Sequence, residues 1–143
     1  MRAIALPVMA FIGLFAAHVS AGALSARDHP ILGSWRMTTA DGSCSETYRF
    51  RSDGTVFVTS GEEVAEIEYE ISSTASAKGF YRWAQRLVKD NGKKDCAGKV
   101  SQSGEVVTWF VQFDPSRERM IVCKAESTQA CFGPLRRVHG SDS

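Results

Sequence analysis

From Gly33 onward the chain is punctuated by turn-forming pairs about ten residues apart, and this rhythm constrains the fold more than any other feature. Asp41-Gly42, Asp53-Gly54, Ser60-Gly61, Asn91-Gly92, Ser103-Gly104 and Asp114-Pro115 separate short runs. The pattern predicts an all-β antiparallel meander with strands at 32–40, 44–51, 55–60, 64–72, 79–89, 94–102, 105–113, 118–125 and 130–138, eight or nine in all. The stretch 94–102, rich in Lys and Gly, is the least strand-like of these. A half-buried meander of this many strands must close on itself or fold into a sandwich to avoid free edges.

Side-chain alternation tests the pairing. Residues 66–71 place Glu66, Glu68 and Glu70 on one face and Ile67, Tyr69 and Ile71 on the other. The following strand places Tyr81, Trp83, Gln85 and Leu87 opposite Arg82, Ala84 and Arg86, so pairing the two sets apolar against apolar and glutamate against arginine. A two-residue turn at Asp53-Gly54 would set Phe50 across from Phe57 and Tyr48 across from Thr59. A turn at Pro115-Ser116-Arg117 would set Val111 near Met120 and Trp109 near Val122. Pro134, lacking an amide donor, predicts a bulge or sheet edge within the last strand.

Met1-Arg2, an apolar run from Ala3 to Val19 and the small residues Ser20-Ala21-Gly22-Ala23 have the layout of a secretory signal peptide. Residues 1–23 are therefore assigned to a signal and 24–143 to one domain, with cleavage after Ala21, Ala23 or Ala26 each compatible. An uncleaved anchor is the alternative, but the run is short of the ~20 residues of a span, and Pro7 and His18 interrupt it. Loss of Arg2 takes the formal charge of +1 to about zero, which argues against nucleic acid as a partner. The product is expected in the periplasm or outside the cell, as a monomer with no membrane span after signal cleavage.

Four cysteines, Cys44, Cys96, Cys123 and Cys131, form an even set in an oxidising compartment and predict two disulfides. A zinc site would want Cys-x-x-Cys or nearby histidines, which are missing. Of three connectivities, Cys123–Cys131 is favoured because a hairpin centred near Ser127 sets these residues opposite each other, and Cys44–Cys96 follows by elimination.

Gly33-Ser34-Trp35 at the start of the first strand, with Arg136-Arg137 near the end of the last, resembles the closure signature of lipocalin-type (calycin) barrels. The resemblance covers about Ile31 to Val138 and implies that Trp35 packs across the barrel bottom beneath Arg136 or Arg137, which donates to backbone carbonyls near the N-terminus. Longer lipocalins carry a helix after the barrel; this chain stops soon after its last strand and so looks like the short bacterial barrels. Without the resemblance, Trp35 reads as a core residue of any small β-protein.

Catalytic chemistry finds little support. His18 leaves with the signal, and His29 and His139 sit in flexible-looking ends, so no base serves a Ser-His-Asp or Cys-His arrangement. The carboxylates Glu62, Glu63, Glu66 and Glu68 read as a solvated strand face. No metal or cofactor is expected. An enzyme on this barrel would require a buried carboxylate with a strongly raised pKa beside an open pocket.

The aromatic residues Tyr48, Phe50, Phe57, Tyr69, Tyr81, Trp83 and Trp109 are the candidate ligand contacts, with Gln85 as a further polar group. An eight-stranded barrel is just wide enough to be filled by side chains or to hold one small ligand, so the same rings could simply pack the core. Arg82, Arg86, Lys89, Lys93, Lys94 and Lys99 cluster around one hairpin, either at the barrel mouth or as a solvated edge. The expected function is a secreted binding protein for a small apolar or amphipathic molecule. The alternative is a protein-binding barrel similar to the bacterial inhibitors of secreted metalloproteases, in which residues ahead of the barrel, here about Leu24 to Leu32, enter the protease cleft.

Overall fold

The structure, a computed structural model, describes residues 26–140; the proposed signal, 1–23, lies outside them. After a single 3-10 turn at Ala26–Asp28 come eight strands: β1 Gly33–Thr38, β2 Ser45–Phe50, β3 Thr55–Ser60, β4 Glu63–Ile71, β5 Tyr81–Asp90, β6 Val106–Phe113, β7 Arg119–Cys123 and β8 Cys131–Val138. Each pairs antiparallel with its neighbour in sequence, and β8 returns to β1 through Trp35↔Arg137 and Arg36↔Arg136, so the sheet is a closed barrel. Closure removes the edges that a meander would otherwise leave unpaired.

Inward side chains alternate with outward ones. Trp35, Phe50, Val56, Ile67, Trp83, Val111, Met120, Val122 and Leu135 meet inside as one core. The β4–β5 register is the expected one: Ile67 faces Leu87, Ile71 faces Trp83, and outside Glu68 faces Arg86 in an ion pair. A bulge follows, in which Val88 is the extra residue and Asp90 comes opposite Ala65. Both disulfides form as expected, Cys44–Cys96 and Cys123–Cys131, the latter between directly opposed residues of β7 and β8.

Two hairpins differ from the expected register. Arg51 N–H bonds to Thr55 carbonyl, so the β2–β3 loop holds three residues, Ser52 to Gly54, with Gly54 at φ +83°. Phe50 then faces Val56, and Phe57 faces Arg49. That single-residue offset turns Phe57 outward, where it is 36% exposed and lies beneath Arg51. Across β6–β7 the offset is two residues, pairing Phe113 with Met120 and Val111 with Val122, so each side chain keeps its expected face. Here Asp114 lengthens the turn by accepting the N–H groups of Glu118 and Arg119, both at 3.0 Å.

The ninth strand does not form. Residues 91–105 are an irregular connection, because the Asp95 carboxylate captures the N–H groups of Ala97 (2.9 Å) and Lys99 (2.7 Å) and folds the chain on itself. This connection reaches across one end of the barrel: Lys94 carbonyl accepts from Glu62 and Glu63, and Cys96 is tied to Cys44.

Candidate functional site

The two ends of the barrel are built differently. At one end Trp35 is fully buried and its indole N–H donates to Ile31 carbonyl at 2.7 Å. Arg137 lies over the ring, 4.2 Å from its centre, and its two terminal nitrogens donate to Leu32 carbonyl (2.7 Å) and Pro30 carbonyl (2.6 Å). Of the two arginines, Arg137 is thus the latch; Arg136 points outward opposite Arg36 and is exposed. Gly33 is required here, since at φ +104° a Cβ would also come within 3.2 Å of the Arg137 guanidinium.

His29 belongs to this closed end instead of a loose terminus. It is 5% exposed and packs edge-on to Tyr81. Its Nδ1 accepts from Ile31 N–H at 3.1 Å, which leaves Nε2 as the protonated nitrogen facing Ser72 carbonyl at 3.2 Å. Burial lowers its pKa below the usual histidine value, the Ser72 carbonyl opposing, so it is held neutral as a structural plug.

Sequence reasoning spread the candidate ligand contacts over the whole interior, and the structure divides them. Phe50, Tyr69 and Trp83 fill the middle in edge-to-face contacts of 5.1–5.2 Å. Tyr81 lies at the closed end against His29 and Phe113, and Phe57 is outside. Tyr48 and Trp109 alone among the seven candidates line a cavity of about 260 Å³ at the other end, partly roofed by residues 95–105. Ile67, Leu87 and Val107 give this cavity apolar walls; Glu63, Gln85 and Ser101 give it polar ones.

Glu63 is the chief correction to the solvated-face reading. It is 6% exposed and points inward. The signal was present in the sequence, because Glu63 shares its phase with Ala65, Ile67 and Tyr69, whereas Glu66 and Glu68 do not. Its Oε1 accepts from Ser101 hydroxyl at 2.6 Å. Burial raises its pKa above the usual carboxylate range, Ser101 opposes the rise, and the adjacent Asp90 carboxyl adds to it. Asp90 takes Gly92 N–H at 2.6 Å on one oxygen, while the other is buried without a partner. Sequence phase could not have located Asp90, because the Val88 bulge resets the alternation.

Glu46 lies on the same side, in phase with Tyr48 and Phe50. It accepts from Tyr48 hydroxyl and from Ser60 hydroxyl, each at 2.8 Å, and Ser60 in turn accepts Cys96 N–H at 3.0 Å. Burial first, and then Glu46, push the Tyr48 phenol well above its ordinary value, so it remains a neutral donor. The roof, the disulfide and the polar wall thus form one connected unit. Of the predicted basic cluster, Lys99 alone joins the lining; Arg86 pairs with Glu68 on the outer face.

Among the described residues no three His, Cys, Asp or Glu side chains are placed to hold a metal ion, and no helix is long and apolar enough to cross a membrane. Compared with protein-family models, with curated proteins and with solved structures, the chain matches none of them. What the fold and site define is therefore a class: a small, doubly disulfide-bonded, closed eight-stranded antiparallel barrel with one latched end and one hollow end.

Proposed function

We propose that this chain is a secreted, lipocalin-like binding protein of the calycin type, and that the hollow end of its barrel carries a small amphipathic molecule. The observation that carries this reading is the cavity lined by Tyr48, Trp109, Leu87 and Val107 on its apolar side and by Glu63, Gln85 and Ser101 on its polar side. Its volume, about 260 Å³, lies just below the ~300–1,000 Å³ of drug-sized ligand sites, so the ligand is compact and not a long acyl chain. The buried carboxylate of Glu63 in the wall favours an amphipathic over a purely apolar occupant. The signal-like residues 1–23 and two disulfides support secretion to an oxidising compartment.

Native mass spectrometry of the protein purified without denaturant tests this. A carried small molecule that is lost from a Val107→Trp variant with unchanged melting behaviour is the expected result. An empty protein that binds nothing from an organic extract of its host would end the reading.

One observation favours a second reading, acid–base catalysis in the same cavity: Glu63 is a buried carboxylate facing that cavity, and burial and the neighbouring Asp90 carboxyl raise its pKa. Turnover of a bound compound that disappears in Glu63→Gln would establish it. Inhibition of proteases gains no separate support, since the segment expected to enter a cleft is packed from His29 to Ile31 under the barrel, with Ile31 fully buried.

A further inference from the structure

The wall of the hollow end offers more hydrogen-bond acceptors than donors. Glu63, 94% buried by its 6% exposure, receives one hydrogen bond, from Ser101, and takes part in none of the ion pairs among the described residues. The Gln85 carbonyl oxygen, in the same lining, is sealed from solvent without a donor. The second oxygen of Asp90, outside the lining, is also buried, but it lies against the Glu63 carboxyl, with which it shares a hydrogen bond when Glu63 is protonated. Buried acceptors in this state are unfavourable, and a partner rich in N–H groups relieves them.

The charges point the same way. Within the lining Glu63, Asp95 and Glu105 outnumber Lys99, which is exposed on the roof and makes no ion pair among the described residues. Asp95 is already occupied by two backbone N–H groups and Glu105 is exposed, so Glu63 is the buried carboxylate of the lining left with capacity. An anionic ligand would meet like charge at a buried wall. A bare metal ion fits poorly, because no three ligating groups converge among the described residues.

We infer, resting on the reading of this cavity as a ligand site, that its ligand is an organic cation: a primary ammonium or guanidinium group on a compact apolar body. Such head groups carry three or five donors and no acceptor. The head group meets Glu63 and the Gln85 carbonyl, and the body lies against Leu87, Val107 and Trp109. Trp109 and Tyr48 add ring faces to which a cation is attracted.

Four probes of matched shape separate charge from size: 2-phenylethylamine, phenylguanidine, 2-phenylethanol and 3-phenylpropionate, titrated calorimetrically into the purified protein near neutral pH. At least one cationic probe is expected to bind tenfold or more tightly than the alcohol, with the carboxylate weakest. Glu63→Gln should weaken the cation at least tenfold and leave the alcohol unchanged, and Gln85→Met should weaken the cation with the charge intact. Melting curves confirm that both variants fold, and Gln85→Met alone carries the test if Glu63→Gln does not. Binding of the alcohol or carboxylate as tightly as the cations, or cation binding indifferent to Glu63→Gln, overturns the inference. If none of the four binds, the inference also fails, and the native mass spectrum decides the rest: a carried neutral or acidic compound preserves the cavity reading alone, and an empty protein removes both.

Discussion

Replacing Arg137 by alanine removes the group that joins the last strand to the chain ahead of the first. Its two terminal nitrogens donate to Leu32 and Pro30 carbonyls at 2.7 and 2.6 Å, and its guanidinium covers the Trp35 ring at 4.2 Å. Charge-assisted hydrogen bonds contribute ~1.5–3 kcal/mol each and a partly desolvated cation–π contact ~0.5–2 kcal/mol. These share one side chain and do not add fully, so a loss of ~3–5 kcal/mol is expected. The Arg137–Glu118 ion pair, at 3.9 Å with Glu118 half exposed, adds little. For a domain of this size that loss corresponds to a fall in Tm of roughly 10–25 °C. Arg136→Ala is the matched control: its side chain is exposed and directly opposite Arg36, a like charge, so its effect stays within ~0.5 kcal/mol or is slightly stabilising. Urea unfolding followed by tryptophan fluorescence measures both. If Arg137→Ala falls by less than about 1 kcal/mol, or Arg136→Ala falls as far, the latch has been assigned wrongly.

Three further outcomes follow from other parts of the barrel. Serine at both Cys44 and Cys96 opens a loop spanning 52 residues and should lower stability by ~4 kcal/mol in urea unfolding, an effect absent when both proteins are reduced. Phe57→Ser should change stability by less than ~1 kcal/mol, whereas Phe50→Ala, at a core residue 3% exposed, should lower it by ~3–5 kcal/mol; equal effects would contradict the three-residue β2–β3 loop. Because the folded-state pKa of Glu63 is raised, the stability its neutral form provides is complete below the unfolded value of 4.5 and is lost as pH rises through the folded value. Glu63→Gln should therefore flatten the decline in Tm above pH 4.5 and melt higher than the parent at neutral pH, read by scanning calorimetry.

The meander, the β4–β5 register and the Cys123–Cys131 bond could be read from the sequence because each rests on a count that is insensitive to loop detail, whereas closure was expected from the resemblance at Trp35 and the terminal arginines, and Cys44–Cys96 by elimination. Alternation over Glu66 to Ile71 fixes a face whatever the turn does, and Cys123 and Cys131 lie symmetrically about Ser127. Register across a tight turn is different. Whether Ser52 belongs to the strand or the loop is decided by one backbone hydrogen bond, Arg51 to Thr55, and that bond alone determines whether Phe57 is inside or out. Residues 94–102 have no alternation to defend a strand, so the local capture by Asp95 prevails. The site was missed for a related reason. Glutamates at 62, 63, 66 and 68 look alike as composition, and only phase separates the inward Glu63 from its outward neighbours. His29 was misread because its fixing partners, Ile31 N–H and Ser72 carbonyl, are backbone groups that leave no trace in residue type.

The roof over the hollow end is attached at several points: its start to the β3–β4 turn through Lys94, its bend to the β1–β2 turn through the Cys44–Cys96 bond, and its far side to Leu87 through Gly104 and Glu105. A cover held in this way has no hinge on which to swing. If the cavity is the ligand site proposed above, exchange would pass beside a cover fixed by a covalent bond, and molecules would be sorted by girth on the way in, before contact with the wall could sort them by affinity. On that reading, reduction of the Cys44–Cys96 bond would quicken both arrival and departure of a ligand, and selectivity by size would be lost sooner than binding itself.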